Sequence, residues 1–578
     1  MCPQEDDSDN SEVASESPRV SSAPLTRRGF LRRAGLTGLT AAAAPVGLLR
    51  ADARETPADG TPEQIHLTFA GDPSSSVFIS WASAAQALNP RVILGGASGR
   101  TNAHAIQRTY TDGLNGQSVF TYHVKIEGLE PDTVFQYAVT ADNDRNRSQP
   151  FKASFKTAPR GRVPFRWTSY GDLATPVTSW VLSSPQSRFA VEAVERFEPL
   201  FHLLNGDLCY ANLNPAAQPA VWADFGNNVQ VSAAHRPWMP CPGNHEIEFG
   251  NGAHGLNSYL TRYSLPDNGT SFAGLWYRFQ VGSALFVSLS ADDVIYQDSG
   301  AFVAGPAPLN PTPSTGNAPI KPGTSLYIRG YSGGAQTRWL EETLSAASKD
   351  ASIDWIIVQM HQDALSSSKN GNGSDKGIRE LWLPIFDRYG VDLVLCGHDH
   401  DYERSWPVRG CNHGAGRDAA SGAAVDTCQP RPVVTVEPAD GIFDTRSGTI
   451  HLILGGGGTS APLDAYGVSS LDGRPQAKVI TKANRPVLGP NPGIFVKAGA
   501  DALEDAIWSA RRDTATGYGI AVFDLDPGVP GGKTSITIRY YHASGADRMP
   551  TSNYELFESL VLAKDRRDDQ ASKVRSKE

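Results

Sequence analysis

Five short segments carry side chains that bind metal ions: Gly171-Asp172-Leu173-Ala174, Gly206-Asp207-Leu208-Cys209-Tyr210, Gly243-Asn244-His245-Glu246, His361, and Gly397-His398-Asp399-His400. Asp172, Asp207, Tyr210 and Asn244 offer oxygen; His361, His398 and His400 offer imidazole nitrogen. One such segment would mean little. All five, spread over more than two hundred residues and in this order, point to one hydrolytic site that holds two cations.

Two cations a few ångströms apart repel strongly, so an anionic oxygen should bridge them, and one of the two aspartates is expected to do so. Oxygen-rich ligation on one side and a pair of histidines on the other suggests two unlike metals. A tyrosine oxygen ligates well only as tyrosinate, against a reference pKa of about 10. A trivalent, Lewis-acidic ion such as Fe(III) overcomes that far more readily than Zn or Mg. Asn244 is neutral and suits a divalent partner.

Each segment must be delivered by an element, and each follows an apolar run with strand character. Phe165 to Tyr170 precedes Asp172, Phe201 to Leu204 precedes Asp207, and Trp238 to Cys241 precedes Asn244. Trp355 to Met360 precedes His361, and Val391 to Cys396 precedes His398. Ligands at the C-terminal ends of neighbouring strands converge on one crevice of an open α/β sheet. Helical spacing at Phe189 to Leu200, Gln336 to Ala347 and Gly377 to Tyr389 supplies the alternation; in the last, Leu381, Pro384, Ile385 and Phe386 are expected to face inward. A hairpin is expected near 275–291, and later strands at Thr449 to Leu454, Gly519 to Asp524 and Ser535 to Tyr541. The expected fold class over 162–562 is α/β, a four-layer α/β/β/α sandwich. Loop-rich insertions are expected near 301–326, 408–447 and 461–512, and a frayed charged tail over 563–578.

Ahead of it, residues 60–158 alternate with period two, at Gln64 to Phe69, Val77 to Trp81 and Thr121 to Ile126. With Trp81 on an early strand and Leu129-x-Pro131-x-Thr133-x-x-x-Tyr137, this all-β module resembles a fibronectin type III sandwich.

At 578 residues the chain is too long for one core. Its 56 glycines and 40 prolines favour loops and β structure over helical bundles. Net charge is −9 without a basic stripe, which argues against nucleic acid as a partner. Residues 1–53 divide into a polar stretch and a signal. Thr26-Arg27-Arg28-Gly29-Phe30-Leu31, an Ala-rich stretch from Ala34 to Leu49, and the small-x-small pattern Ala51-Asp52-Ala53 resemble a twin-arginine signal with cleavage after Ala53. The twin-arginine export machinery is then a partner, the protein is exported to periplasm or medium, and no stable membrane anchor survives cleavage. Cys2 leaves with the signal. Cys209, Cys241 and Cys396 are read as small buried hydrophobes rather than ligands, while Cys411 and Cys428 could pair in an oxidising compartment.

The metal-binding segments resemble the purple acid phosphatases, a branch of the calcineurin-like metallophosphoesterases. That resemblance implies Fe(III) held by Asp172, Tyr210 and His400, Asp207 as the bridge, and Asn244, His361 and His398 around a divalent Fe, Zn or Mn. It also implies that His245 contacts phosphate and protonates the leaving oxygen. The chemistry implied is hydrolysis of a phosphate monoester, in which the cations clamp phosphate oxygens, acidify a bound water and direct hydroxide in line at phosphorus. Tyr402-Glu403-Arg404 extends the match, with support of the ligands as its expected role. Glu246 is expected to orient a neighbour.

Two departures stand out. Ala174 occupies a position where the family prefers Gly. The family's further histidine, about ten residues past His361, is missing from the Ser366-Ser367-Ser368-Lys369-Asn370-Gly371 loop. Lys369 and Arg379 are the candidate phosphate-binding replacements, and the three serines are read as solvated loop. This rewriting keeps open a phosphodiesterase acting on nucleotides or phospholipid headgroups. A third reading is a binding or adhesion protein with a vestigial metal site.

Overall fold

The computed structural model describes residues 59–568, except 97–98, 249, 253, 298–329, 369–371, 460–465, 471, 483–484, 489–494, 499–500 and 546–548. The segment expected to be an export signal, and Cys2 with it, lie outside the described residues. Among the described residues no helix is long and apolar enough to cross a membrane.

Alternating β-branched and aromatic residues at the N-terminal end build two antiparallel four-stranded sheets. Glu63–Phe69, Val77–Ser83, Ser118–Ile126 and Ile106–Thr111 form one; Gly99–His104, Arg91–Gly96, Val134–Thr140 and Phe151–Lys156 form the other. Trp81 is buried between them and stacks on Tyr122 at 5.6 Å. Polar contacts tie this sandwich to the segment around residues 248–262. Tyr110 Oη accepts from Arg262, and Asn251 donates to both Asp112 and Glu248.

From residue 165 the chain forms two seven-stranded sheets packed face to face. The first runs in the order Trp238–Cys241, Phe201–Asn205, Phe165–Tyr170, Gly519–Asp526, Lys533–Ala543, Tyr554–Asp565, Ile442–Phe443. The second runs Tyr277–Val281, Ala284–Ser288, Trp355–Gln359, Leu393–Cys396, Ile450–Leu454, Tyr402–Ser405, Ser509–Arg512. Between them Trp167 stacks on Phe523 at 4.8 Å and meets Phe286 edge-on at 5.3 Å. Such aromatic pairs add about 0.5–1.5 kcal/mol each beyond area burial. Helices Gln186–Phe197 and Gln218–Ala233 cover the first sheet, and Ala335–Ala347 and Leu383–Tyr389 the second. This is the expected four-layer α/β/β/α sandwich.

The strands that matter are parallel and in register. Phe201–Asn205 lies between Phe165–Tyr170 and Trp238–Cys241, and Trp355–Gln359 lies between Ala284–Ser288 and Leu393–Cys396. Their C-terminal ends therefore open on one edge of the double sheet.

Several expectations need correction. The 408–447 and 461–512 insertions are loop-rich as expected, but they also carry short paired strands. They supply most of a five-stranded sheet of Ser374–Asp375, Gln476–Ile480, Asp501–Asp505, Gly416–Asp418 and Ala424–Val425. Cys411 and Cys428 are bridged across this region. The segment expected as one helix from Gly377 is two, Lys376–Leu381 and Leu383–Tyr389, and Leu381 and Pro384 face outward. Over 563–568 the expected tail does not fray, because the last strand runs to Asp565 and buried Lys564 pairs with Asp392 at 2.5 Å, while 569–578 lie outside the described residues.

Candidate metal centre

The glycine before Asp172, Asp207, Asn244 and His398 is explained by crowding. A Cβ at Gly397 would sit 2.5 Å from both Asn205 O and Asp172 Oδ2, and one at Gly243 would sit 2.3 Å from Asp207 Oδ1. The ligand backbones are unusual too. Asp172, Asp207, Tyr210 and His398 have φ of 59°, 48°, 60° and 69°. This left-handed region costs a residue with a Cβ about 1–2 kcal/mol, and here it turns the side chain back over the sheet edge. Ala174 is likewise at φ 57°, which is why a glycine would suit that position.

The strand ends bring the seven sequence-derived donors into two groups. Tyr210 Oη lies 2.9 Å from Asp172 Oδ1 and 3.0 Å from His400 Nε2, and His400 Nε2 is 3.3 Å from the same carboxylate oxygen. In the second group His361 Nε2 is 3.0 Å from Asp207 Oδ2, and His398 Nδ1 is 3.1 Å from His361 Nε2. Ligand atoms of Asp207, His361 and His398 all lie within 4.8 Å of one another. Asn244 Oδ1 is buried and has no hydrogen-bond partner among the described residues, an acceptor left for a cation. Each group contains a carboxylate and at least one imidazole. The donor set fits two metal ions.

Neighbouring groups hold these donors ready. His361 Nδ1 lies 2.7 Å from the Asn205 carbonyl, which can only accept, so the ring proton sits there and Nε2 keeps its lone pair. Glu246 accepts from the backbone N–H of Asp207 (2.9 Å), Leu208 (2.8 Å) and Gly243 (2.7 Å), tying two ligand loops together. Burial alone would raise the Asp207 carboxyl, but when the His361 ring and then the His245 ring carry a second proton their positive charge pulls it down to about 2.

His245 is placed differently from the ligands. Its backbone N–H donates to Asp207 Oδ1 at 2.8 Å, its Nδ1 lies 2.9 Å from Asn212 Oδ1, and its Nε2 is 3.9 Å from Asp207 Oδ2. Its side chain is 21% exposed, as is that of His400, while Asp172, Asp207 and His361 are at 2% or less. Solvent therefore reaches the centre across the His245–His400 side. Asn212 was missed in the sequence, although it stands two residues past Tyr210 in the same turn.

The family model described as "Purple acid Phosphatase, N-terminal domain" matches residues 62–157, and that described as "Calcineurin-like phosphoesterase" matches residues 185–402. The chain belongs to the purple acid phosphatases. It is a binuclear-metal phosphoesterase, a hydrolase acting on phosphate esters. An uncharacterized protein of Mycobacterium tuberculosis is 40% identical over 519 residues, 87% of each chain. The Fe(3+)-Zn(2+) purple acid phosphatase 12 of Arabidopsis thaliana is 26% identical over 413 residues, 70% of this chain and 74% of that one. Purple acid phosphatase PPD1 from yellow lupin seeds shares the fold, with a TM-score of 0.58 at 17% identity over 88% of this chain and 76% of that chain.

Around this purple acid phosphatase centre, three expectations about the substrate wall change. Arg379 is not a phosphate ligand. It is fully buried, pairs with Glu504 at 2.9 Å through Nη2 and 3.1 Å through Nη1, and donates to the carbonyls of Ala364 and Thr427. Lys369 lies outside the described residues. Ser366 and Ser367 are buried rather than solvated, donating to Asp399 and Glu403. Glu403 thus supports the loop after His361 and not the ligands, while Tyr402 and Arg404 both bond Glu558. Cys209, Cys241 and Cys396 are free and buried.

Proposed function

We propose that this chain is an exported phosphomonoesterase whose centre takes Fe(III) beside Asp172, Tyr210 and His400, and a divalent Fe, Zn or Mn beside Asn244, His361 and His398, with Asp207 shared. The observation that carries this reading is the placement of His245 on the exposed side of an otherwise buried donor set, bonded to Asp207 through its backbone and steered by Asn212. When bound, two cations supply positive charge to phosphate oxygens and acidify a water.

The chain's own groups do the rest. Glu246 and the strand ends fix the donors, so little reorganisation is needed when substrate arrives. Asn212 accepts from His245 Nδ1–H, which directs Nε2 toward the open side. From there Nε2 can give a proton to the departing alkoxide while attack proceeds from the opposite face of phosphorus. Export is supported by the Arg27-Arg28 pattern and by the Cys411–Cys428 bridge, a pairing that persists in oxidising compartments.

The deciding experiment compares kcat/KM for a phosphomonoester and a phosphodiester sharing one leaving group, on metal-analysed protein recovered from fractionated cells. A strong monoester preference in an extracytoplasmic fraction is expected. A diester preference would move the substrate to nucleotides or lipid headgroups, and retention in the cytoplasm would overturn export. Metal identity has its own readout. Tyr210→Phe is expected to remove visible absorption arising from tyrosinate bound to iron, and a colourless wild type holding two Zn or two Mn would refute the Fe(III) assignment.

A further inference from the structure

Gln297 is fully buried, and its carboxamide meets the ring of His398 from the side away from His361. Gln297 Nε2 lies 2.7 Å from His398 Nε2, while Gln297 Oε1 is buried without a hydrogen-bond partner among the described residues. The opposite ring nitrogen, Nδ1, is the one that faces His361 Nε2 at 3.1 Å and joins the donor group. These distances bear on where the imidazole proton sits. A neutral imidazole has one N–H and one lone pair, and only the nitrogen with the lone pair can ligate.

With the amide nitrogen toward the ring, His398 Nε2 must accept, and the ring proton falls on Nδ1, where it blocks ligation. A half-turn of the carboxamide exchanges oxygen and nitrogen at almost no steric change. Oε1 then accepts from His398 Nε2–H, the orphaned oxygen gains its donor, and the lone pair moves to Nδ1. Gln297 is itself held in place. Its backbone N–H donates to Asp375 Oδ2 at 2.7 Å, and the same carboxylate accepts from Tyr296 N and from Gly377 N.

We propose that Gln297, through its side-chain oxygen, fixes His398 as the Nε2–H tautomer and so presents Nδ1 to the divalent cation; it is a positioning residue for that metal. This rests on the reading of His398 as a ligand. Hydrogen bonds to the far nitrogen of a ligating histidine set ring orientation and ligand basicity, and their loss typically costs about 10–100-fold in metal affinity.

The test is the Zn(II) affinity of the full chain, stripped by chelator and reloaded, measured by competition with a chromogenic chelator. Gln297→Leu keeps the bulk and removes the acceptor, and is expected to weaken the second equivalent of Zn(II) about 10–100-fold with the first little changed. Gln297→Glu can accept from Nε2–H but cannot donate to it, and is expected to hold both equivalents as wild type does. Equal affinity in wild type and Gln297→Leu would overturn the proposal, as would a loss in Gln297→Glu as large as in Gln297→Leu. A wild type that never takes a second equivalent would instead overturn the two-metal reading, and the proposal with it.

Discussion

Turnover of an alkyl phosphate is expected to fall about 10²–10⁴-fold in His245→Ala, the usual contribution of a general acid. The structure gives this loss a narrow cause. The hydrogen bond from His245 to Asp207 comes from its backbone N–H, which alanine retains, so the donor groups around Asp172 and Asp207 should survive. What disappears is an imidazole on the exposed side of the centre whose Nδ1 is already engaged by Asn212. Protonation matters most when the leaving alkoxide is basic. The defect should therefore shrink for an aryl phosphate whose phenolate departs unaided, and metal content should match wild type. Unchanged turnover of the alkyl substrate at full metal content would remove His245 from the chemistry.

Arg379→Ala is expected to cost about 3–5 kcal/mol of folding stability, the range for breaking a buried ion pair from one side. The guanidinium and the Glu504 carboxylate are both fully buried and meet in two places, at 2.9 and 3.1 Å. Removing the cation strands Glu504, whose remaining donors are Thr427 and Trp508. It also frees the Thr427 carbonyl beside the Cys428 half of the disulfide and loosens the short helix that begins after Asp375. Arg379→Ala/Glu504→Leu should recover much of the loss, because no unpaired charge is left inside. A denaturation curve decides the point. Undiminished stability with a raised KM for phosphate esters would restore Arg379 as a substrate contact.

The seven donors could be read from the chain because metal ligation leaves local traces. It demands a few side-chain types, it places them where an apolar strand stops, and it requires a glycine where neighbouring loops crowd, as at Gly243 and Gly397. The parallel strands were equally plain, being buried on both faces and hence continuous runs such as Trp355-Ile356-Ile357-Val358. The helix Gln218–Ala233 escaped notice for the opposite reason. It is packed against both the helix Gln186–Phe197 and the sandwich strand Glu63–Phe69, so its buried face is broad and includes Gln218, Gly226 and Ser232, which dilute the apolar stripe of Val221, Trp222, Phe225 and Val229.

Residues whose role depends on a distant partner could not be assigned from their own neighbourhood. A loop of serines and a lysine looks solvated until Asp399 and Glu403 arrive from thirty-odd residues away to take the hydroxyls. Arg379 looks like a free cation until Glu504 comes from the insertion sheet, 125 residues on. Asn212 and Gln297 carry no motif, because an amide is useful only for what lies opposite it. The sequence by itself determined the chemistry of the donors and the strand ends that carry them, since both depend on residue type and short-range pattern. Only the tertiary structure decided which polar groups orient those donors and which merely neutralise one another, since hydrogen bonds and ion pairs act over a few ångströms in space regardless of separation along the chain.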